Sequence, residues 1–276
     1  MGETEIYYFT GTGNSLHIAR ELQKRLPEVI LIPVISLIHK DKIQINAESV
    51  GFVFPLHGMS MPIPVKSFLK KVNLNPAKYL FAVATRGGTK CMAFKQINRM
   101  LKRQGKALNA HFVVNMASND PKFDFYKVPT QEELTEIEAK IQLQLNDIAG
   151  TILMKENSIE PDKDFIASGF LLDKLVLLGM KYAEINGAKN YFYSDSKCTG
   201  CGMCERVCTA RKVRMVGDKP VWQNDVKCNL CYACINYCTA QAAQIKTKVY
   251  MKSYTDKNAR YPHPYATAKD IENQKF

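Results

Sequence analysis

The sequence contains no run of about 18 apolar residues, so a membrane-spanning helix is not expected. Its first residues, MGETEIYYFTGTGNS, lack a basic stretch and a small-residue cleavage site; no export signal is read there, and a cytoplasmic protein is expected. Outside one short stretch cysteine is nearly missing, since eight of the nine fall between Cys198 and Cys238 and only Cys91 stands apart. A basic tail is missing too. Residues 1–155 hold 20 Lys/Arg against 13 Asp/Glu and residues 156–276 hold 18 against 13, so the net charge of +12 is dispersed. With no nucleic-acid motif beside it, that charge suits an acidic protein partner better than DNA or RNA.

The cysteines that are present repeat one spacing. Cys198, Cys201, Cys204 and Cys208 form one CxxCxxCxxxC run, and Cys228, Cys231, Cys234 and Cys238 form a second. In this spacing three thiolates converge on one [4Fe-4S] cube and the fourth crosses to the other. One cluster is therefore assigned to Cys198, Cys201, Cys204 and Cys238, and the other to Cys228, Cys231, Cys234 and Cys208. Structural zinc is the main alternative, but its ligands come from two separated CxxC pairs, which fits a third and fourth cysteine in the same run poorly. Disulfides are disfavoured by the dense CxxC spacing in a chain read as cytoplasmic. The stretch from Ser194 to Lys248 resembles a bacterial two-cluster ferredoxin. Where that family carries proline after the fourth cysteine, this chain has Thr209 and Thr239. The change removes no ligand but alters the turn and its hydrogen bonding. Two clusters with their thiolates contribute roughly −4 and a flavin phosphate about −2, which would leave a loaded chain near about +6.

At 276 residues and 46% hydrophobic composition, the chain is long enough for one large domain or two smaller ones. Its N-terminal half alternates short apolar runs with helical patterns. Strands are expected at Ile6–Phe9, Val29–Val34, Val50–Phe54, Tyr79–Ala84 and His111–Met116. Helices are expected at Asn14–Leu26, Pro64–Lys71, Met92–Arg103 and Gln131–Ile152. Five strands in this rhythm predict an α/β, flavodoxin-like doubly wound parallel sheet of order 2-1-3-4-5 over residues 1–155.

The loop after the first strand, Thr10-Gly11-Thr12-Gly13-Asn14-Ser15, lies between a strand and a helix N-terminus, where unpaired N–H groups and the helix dipole favour an anion. It is not the dinucleotide pattern GxGxxG. Its hydroxyls, with the Asn14 amide, suit the terminal phosphate monoester of FMN; an ordinary capped turn is the alternative. Ligands in such sheets sit beyond the carboxyl ends of the strands. The loops Pro55-Leu56-His57-Gly58-Met59 and Thr85-Arg86-Gly87-Gly88-Thr89 occupy those ends and are read as walls of an isoalloxazine site. His57 is either a ring-side residue or a surface histidine, and Arg86 either opposes charge on the reduced flavin or is solvated. Cys91 reads as structural, with flavin contact as the alternative.

Residues 156–193 read as a polar linker, Asn157–Asp164, followed by an apolar helix, Phe165–Ile185, expected to pack between two cofactor domains rather than on a membrane surface. Residues 194–248 form the cysteine domain. The tail, 249–276, is expected to drape over the surface. The Phe9–Ser15 loop, the Thr85–Gly88 loop, both cysteine runs and the Arg260-Tyr261 to Asp270 tail together resemble the single-chain flavodoxin and two-cluster ferredoxin fusion family. The resemblance implies FMN, two [4Fe-4S] clusters and electron transfer with a redox protein partner. Within it, Met116–Pro121 departs from the usual third flavin wall. An FMN-dependent reductase of a small organic substrate, fed by its own clusters and using His57 as proton donor, is the alternative from another class.

Overall fold

The structure, a computed structural model, describes residues 4–159, 161–163, 165–166, 169–249 and 251–276. The N-terminal elements are β1 (Thr4–Tyr8), α1 (Asn14–Arg25), β2 (Val29–Pro33), β3 (Ser49–Pro55), α2 (Ile63–Lys71), β4 (Tyr79–Arg86), α3 (Ala93–Leu101), β5 (Ala110–Asn115), α4 (Gln131–Leu153) and β6 (Ser158–Ile159). The strands form one parallel sheet in the order β2-β1-β3-β4-β5-β6. β3 and β4 are buried on both faces, which is why their sequences are continuous apolar runs rather than alternating ones. One core, with Phe9, Phe52, Phe54, Phe68 and Ile97, lies under α2 and α3. The other, with Ile6, Leu16, Leu22, Val83, Leu145 and Ile148, lies under α1 and α4. A capping box of Thr130 and Glu133 starts α4.

The sheet has six strands rather than five. The sixth, β6, pairs Ser158 and Ile159 with Ala110 and His111, inside the segment read as a linker. Two residues are too few to show an alternating pattern, so this edge pairing is set by its neighbour. The rest of the linker and the start of the apolar segment lie partly outside the described residues, at positions 160, 164, 167 and 168.

Beyond α5 (Phe170–Asn186), the C-terminal part repeats itself at an interval of 30 residues. β7 (Phe192–Ser194) pairs antiparallel with β10 (Ala243–Ile245), and β8 (Val213–Val216) with β9 (Lys219–Trp222). Two four-residue helices, α6 (Met203–Arg206) and α7 (Ala233–Asn236), occupy equivalent places. Left-handed backbone recurs at Gly200 and Leu230, Gly202 and Tyr232, and Arg211 and Gln241. The first copy uses glycine where the second uses leucine and tyrosine, at a cost of about 1 kcal/mol or more per residue.

The last segment does not drape over the surface. Tyr261, His263, Ala266, Ile271 and Gln274 are buried, and α8 (Ala268–Asn273) packs Ile271 against Val207, Ala233 and Tyr237. His263 stacks on His17 of α1 with ring centroids 4.6 Å apart, while His17 Nε2 lies 3.0 Å from the Glu138 carboxylate of α4. Burial, with His17 beside it, holds the His263 imidazole far below its usual range, at about 3. The apolar side of α5 is not packed between the halves either; its leucines face out. No helix among the described residues is long and apolar enough to cross a membrane.

Candidate functional site

The structure brings Cys208 together with Cys228, Cys231 and Cys234 around one pocket, which Phe192, Trp222 and Tyr232 also line. Burial raises the thiol pKa values of Cys228, Cys231 and Cys234, and the mutual proximity of these cysteines and Cys208 raises them further. In the other group, burial pushes Cys204 up to about 12, with Cys238 and Cys201 adding to the rise. Gathered, desolvated thiols are poor company for one another as anions, and a bound cation reverses that balance by taking them as thiolates. No disulfide joins any of the nine cysteines.

Backbone N–H groups aim at the sulfurs. Lys212 N–H donates to Cys208 Sγ at 3.2 Å and Leu230 N–H to Cys228 Sγ at 3.3 Å. Ala242 and Ala243 N–H both donate to Cys238 Sγ, at 3.2 and 3.4 Å. Such donors favour negative sulfur. Thr209, which follows the fourth cysteine of the first run, is buried and accepts from Asn229 Nδ2 at 3.1 Å, which leaves its hydroxyl hydrogen for Cys231 Sγ at 3.5 Å. Thr239 is exposed, so the two turns are chemically unequal. The Lys212 side chain is fully buried, its ammonium held by the carbonyls of Gln223 and Val226 close to Cys208 and Cys228. Cys201 is the exposed member of its group, so the first group faces water and the second is enclosed.

The loop Thr10–Ser15 is buried throughout. Thr10 Oγ1 accepts from Gly13 N–H at 3.0 Å, and Thr12 Oγ1 accepts from Asn119 Nδ2. Each hydroxyl is used as an acceptor and keeps its hydrogen to donate. Ser15 and Thr85 share a hydroxyl–hydroxyl bond of 2.8 Å, which ties the first loop to the third. Gly13, at φ +112, turns the chain into α1 beneath His263 and Ala266. Asn14 donates to the Ala117 carbonyl at 3.1 Å, and its Oδ1 is buried with no partner among the described residues. The donor set therefore fits a phosphate with a hydroxylated chain behind it.

The loops after β3 and β4 are less simply arranged. Leu56 N–H donates to the Thr85 carbonyl at 2.8 Å, which holds Pro55 and Leu56 beside Thr85. His57 and Ser60 close a tight turn through Gly58 (φ +50) and Met59 (φ +69), but Met180 of α5 covers Gly58. His57 lies edge-on to Phe9 at 6.0 Å, and burial, helped by the charge of Lys122, lowers its pKa to about 4. Gly88 (φ +119) turns beneath Ile166, and Gly87 is exposed next to Ser118. Arg86 is not solvated: it is buried and bonds to Asp162 at 2.7 Å, to Asn115 Oδ1, and to the Thr89 and Lys163 carbonyls. Cys91 is in the core, its thiol pushed up to about 11 by burial. The divergent segment 116–121 supplies Ala117 and Asn119 to the first loop and Asp120 to the junction described next.

The two halves meet at the first loop. A Cβ on Gly11 would lie 2.2 Å from the Cys231 carbonyl oxygen and 2.8 Å from Cys231 Cβ, so the loop backbone rests directly on a residue of the enclosed cysteine group. Around that contact, the Thr12 carbonyl accepts from His263 N–H at 2.8 Å and Tyr237 O–H at 3.4 Å. The Gln274 amide pairs with both the N–H and the carbonyl of Thr10, at 3.1 and 3.0 Å. Lys122 bonds to Asp120 at 3.3 Å and Tyr232 Oη at 3.1 Å, and Tyr232 Oη lies 3.3 Å from Tyr191 Oη. Sequence reasoning missed Lys122, Tyr191, Tyr232, His263 and Gln274. The only local signal was Tyr232, a bulky residue where the first cysteine copy has Gly202.

No family model and no curated protein matches the chain. Among solved structures it is similar to a flavodoxin from the domain Archaea, at 13% identity over 54% of this chain and 99% of that one, with a TM-score of 0.33. It is also similar to the two-electron reduced flavodoxin of Megasphaera elsdenii, at 17% identity over 51% of this chain and 98% of that one, TM-score 0.30. A third likeness is to rubredoxin oxygen:oxidoreductase from the anaerobe Desulfovibrio gigas, at 17% identity over 55% of this chain and 37% of that one, TM-score 0.32. These likenesses are distant and do not say what this chain binds.

Proposed function

We propose that this chain is an electron-transfer iron-sulfur flavoprotein, relaying electrons between FMN, two [4Fe-4S] clusters and an external redox partner. Clusters supply single electrons, and FMN takes up one or two. Thr10, Gly11, Thr12, Gly13, Asn14 and Ser15 hold the phosphate, with Asn14 Oδ1 left for a hydroxyl of the flavin side chain. Pro55, Leu56, His57, Gly58, Thr85, Gly87 and Gly88 flank the ring. The enclosed cluster takes Cys208, Cys228, Cys231 and Cys234; the outer takes Cys198, Cys201, Cys204 and Cys238. The observation that carries the reading is the Gly11–Cys231 contact, which seats the phosphate loop on a ligand of the enclosed group with no side chain between them. Exposed Cys201 marks the side from which an acidic protein partner would exchange electrons in the cytoplasm.

Relay is favoured over reduction of a bound substrate because His57, the proton donor that the sequence offers, is held neutral by its low pKa. Anaerobic reconstitution followed by an optical and EPR titration tests the proposal. About eight irons and one FMN per chain are expected. Zinc in the cysteine sites, or iron without flavin, would end it. Thr209→Val is expected to lower the potential of the enclosed cluster alone, by about 40 mV, if the lost hydroxyl donor favours the reduced form by about 1 kcal/mol. Potentials from the same titration, compared with those of Thr239→Val, check this.

A further inference from the structure

Helix α5 is built inside out. Its acidic residues turn toward the protein: Asp173 is buried 3.7 Å from Lys90, and Glu184 pairs with Lys66 at 2.9 Å. Its opposite side presents Leu171, Leu175, Leu178, Tyr182 and Ile185, each between 57% and 71% exposed. These five succeed one another at intervals of four, three, four and three residues. A mean step of 3.5 residues lines these five up along one side of the helix, the spacing of a seam that faces a partner helix. Here Lys174 and Lys181 border the stripe. Gly179 adjoins it, with nothing within 4 Å of a Cβ built there, so a second backbone can approach.

We propose that this stripe pairs with its own counterpart on a second copy of the chain, α5 against α5 about a two-fold axis. An evenly stepped apolar seam with no charge inside it is complementary to itself, which a two-fold interface requires. A standard interface buries about 800 Å² on each partner. The five stripe residues, flanked by exposed Leu172, offer apolar area approaching that along a helix about 25 Å long. The bordering lysines repel across the axis, so salt strengthens this pairing; it would weaken docking of an acidic protein or an anionic bilayer.

Sedimentation velocity on the cofactor-loaded protein is the test. At micromolar concentration the 31.2 kDa chain is expected to sediment at twice that mass, more tightly as salt is raised. Leu175→Glu with Leu178→Glu, and separately Leu175→Lys with Leu178→Lys, are each expected to weaken association at least about 100-fold while flavin and iron contents stay unchanged. Mixing the two variants is expected to restore a one-to-one dimer, because opposite charges then meet in the seam. A wild-type monomer would overturn the proposal, as would a dimer that both variants leave intact or that salt dissociates. Co-sedimentation of monomers with phosphatidylglycerol-containing vesicles would overturn it in favour of lipid.

Discussion

Gly11→Ala is expected to uncouple the N-terminal half, with its proposed flavin, from the cysteine half while leaving each half folded. The added Cβ meets the Cys231 carbonyl oxygen at 2.2 Å, and neither side of the contact is a flexible side-chain end that can swing away. Gly11 is not in left-handed backbone, so alanine adds no conformational strain and the effect comes from the contact. Overpacking of this kind costs about 1–3 kcal/mol, which lowers the ratio of docked to undocked halves about 5- to 150-fold. Reduction of FMN through the clusters should slow in stopped-flow measurements as the docked fraction falls, by at most that factor, with iron content retained. Gln274→Ala removes the two hydrogen bonds that tie α8 to Thr10 and should slow the same step to a smaller degree. Unchanged transfer in Gly11→Ala would mean that electrons do not pass through this contact.

The second large effect concerns the crossing of ligands. Cys208 belongs to the first run in sequence but lines the pocket of Cys228, Cys231 and Cys234 in space. Cys208→Ala is therefore expected to remove the enclosed cluster, dropping iron from about eight to about four per chain and leaving the exposed cluster to titrate. FMN should then lose its internal reductant. Cys238→Ala should do the reverse, because Cys238 lies beside Cys204. EPR of the two variants separates the outcomes: identical losses from Cys208→Ala and Cys198→Ala would place Cys208 with its sequence neighbours and refute the crossing.

Several features were legible because their signal is local. The Thr10–Ser15 loop announces itself as glycines and hydroxyls between an apolar run and a helical pattern, and the structure places it between β1 and α1. The continuous apolar runs of β3 and β4 mark a sheet covered on both faces. Other features had no local signal. Arg86 looks like any loop arginine until Asp162, 76 residues on, closes over it. The tail from Tyr261 to Gln274 reads as polar, but its polar groups are what the first loop uses: Gln274 pairs with Thr10, and His263 caps Thr12. The α5 leucines suggested a buried helix, and their count alone could not show which side the rest of the chain would cover.

The sequence by itself determined which groups this chain can offer: eight thiols in a repeated spacing, a loop of glycines and hydroxyls at a helix start, and a sheet rhythm that opens such loops at one edge. Spacing and periodicity act over a few residues, where covalent geometry limits what the backbone can do. Only the tertiary structure decided that Gly11 would lie on Cys231, that Cys201 would face water while Cys208 would not, and that α5 would turn its charges inward. Those outcomes depend on packing between segments as distant in sequence as Gly11 and Cys231, where surface complementarity and desolvation choose the partner and no short-range pattern records the choice.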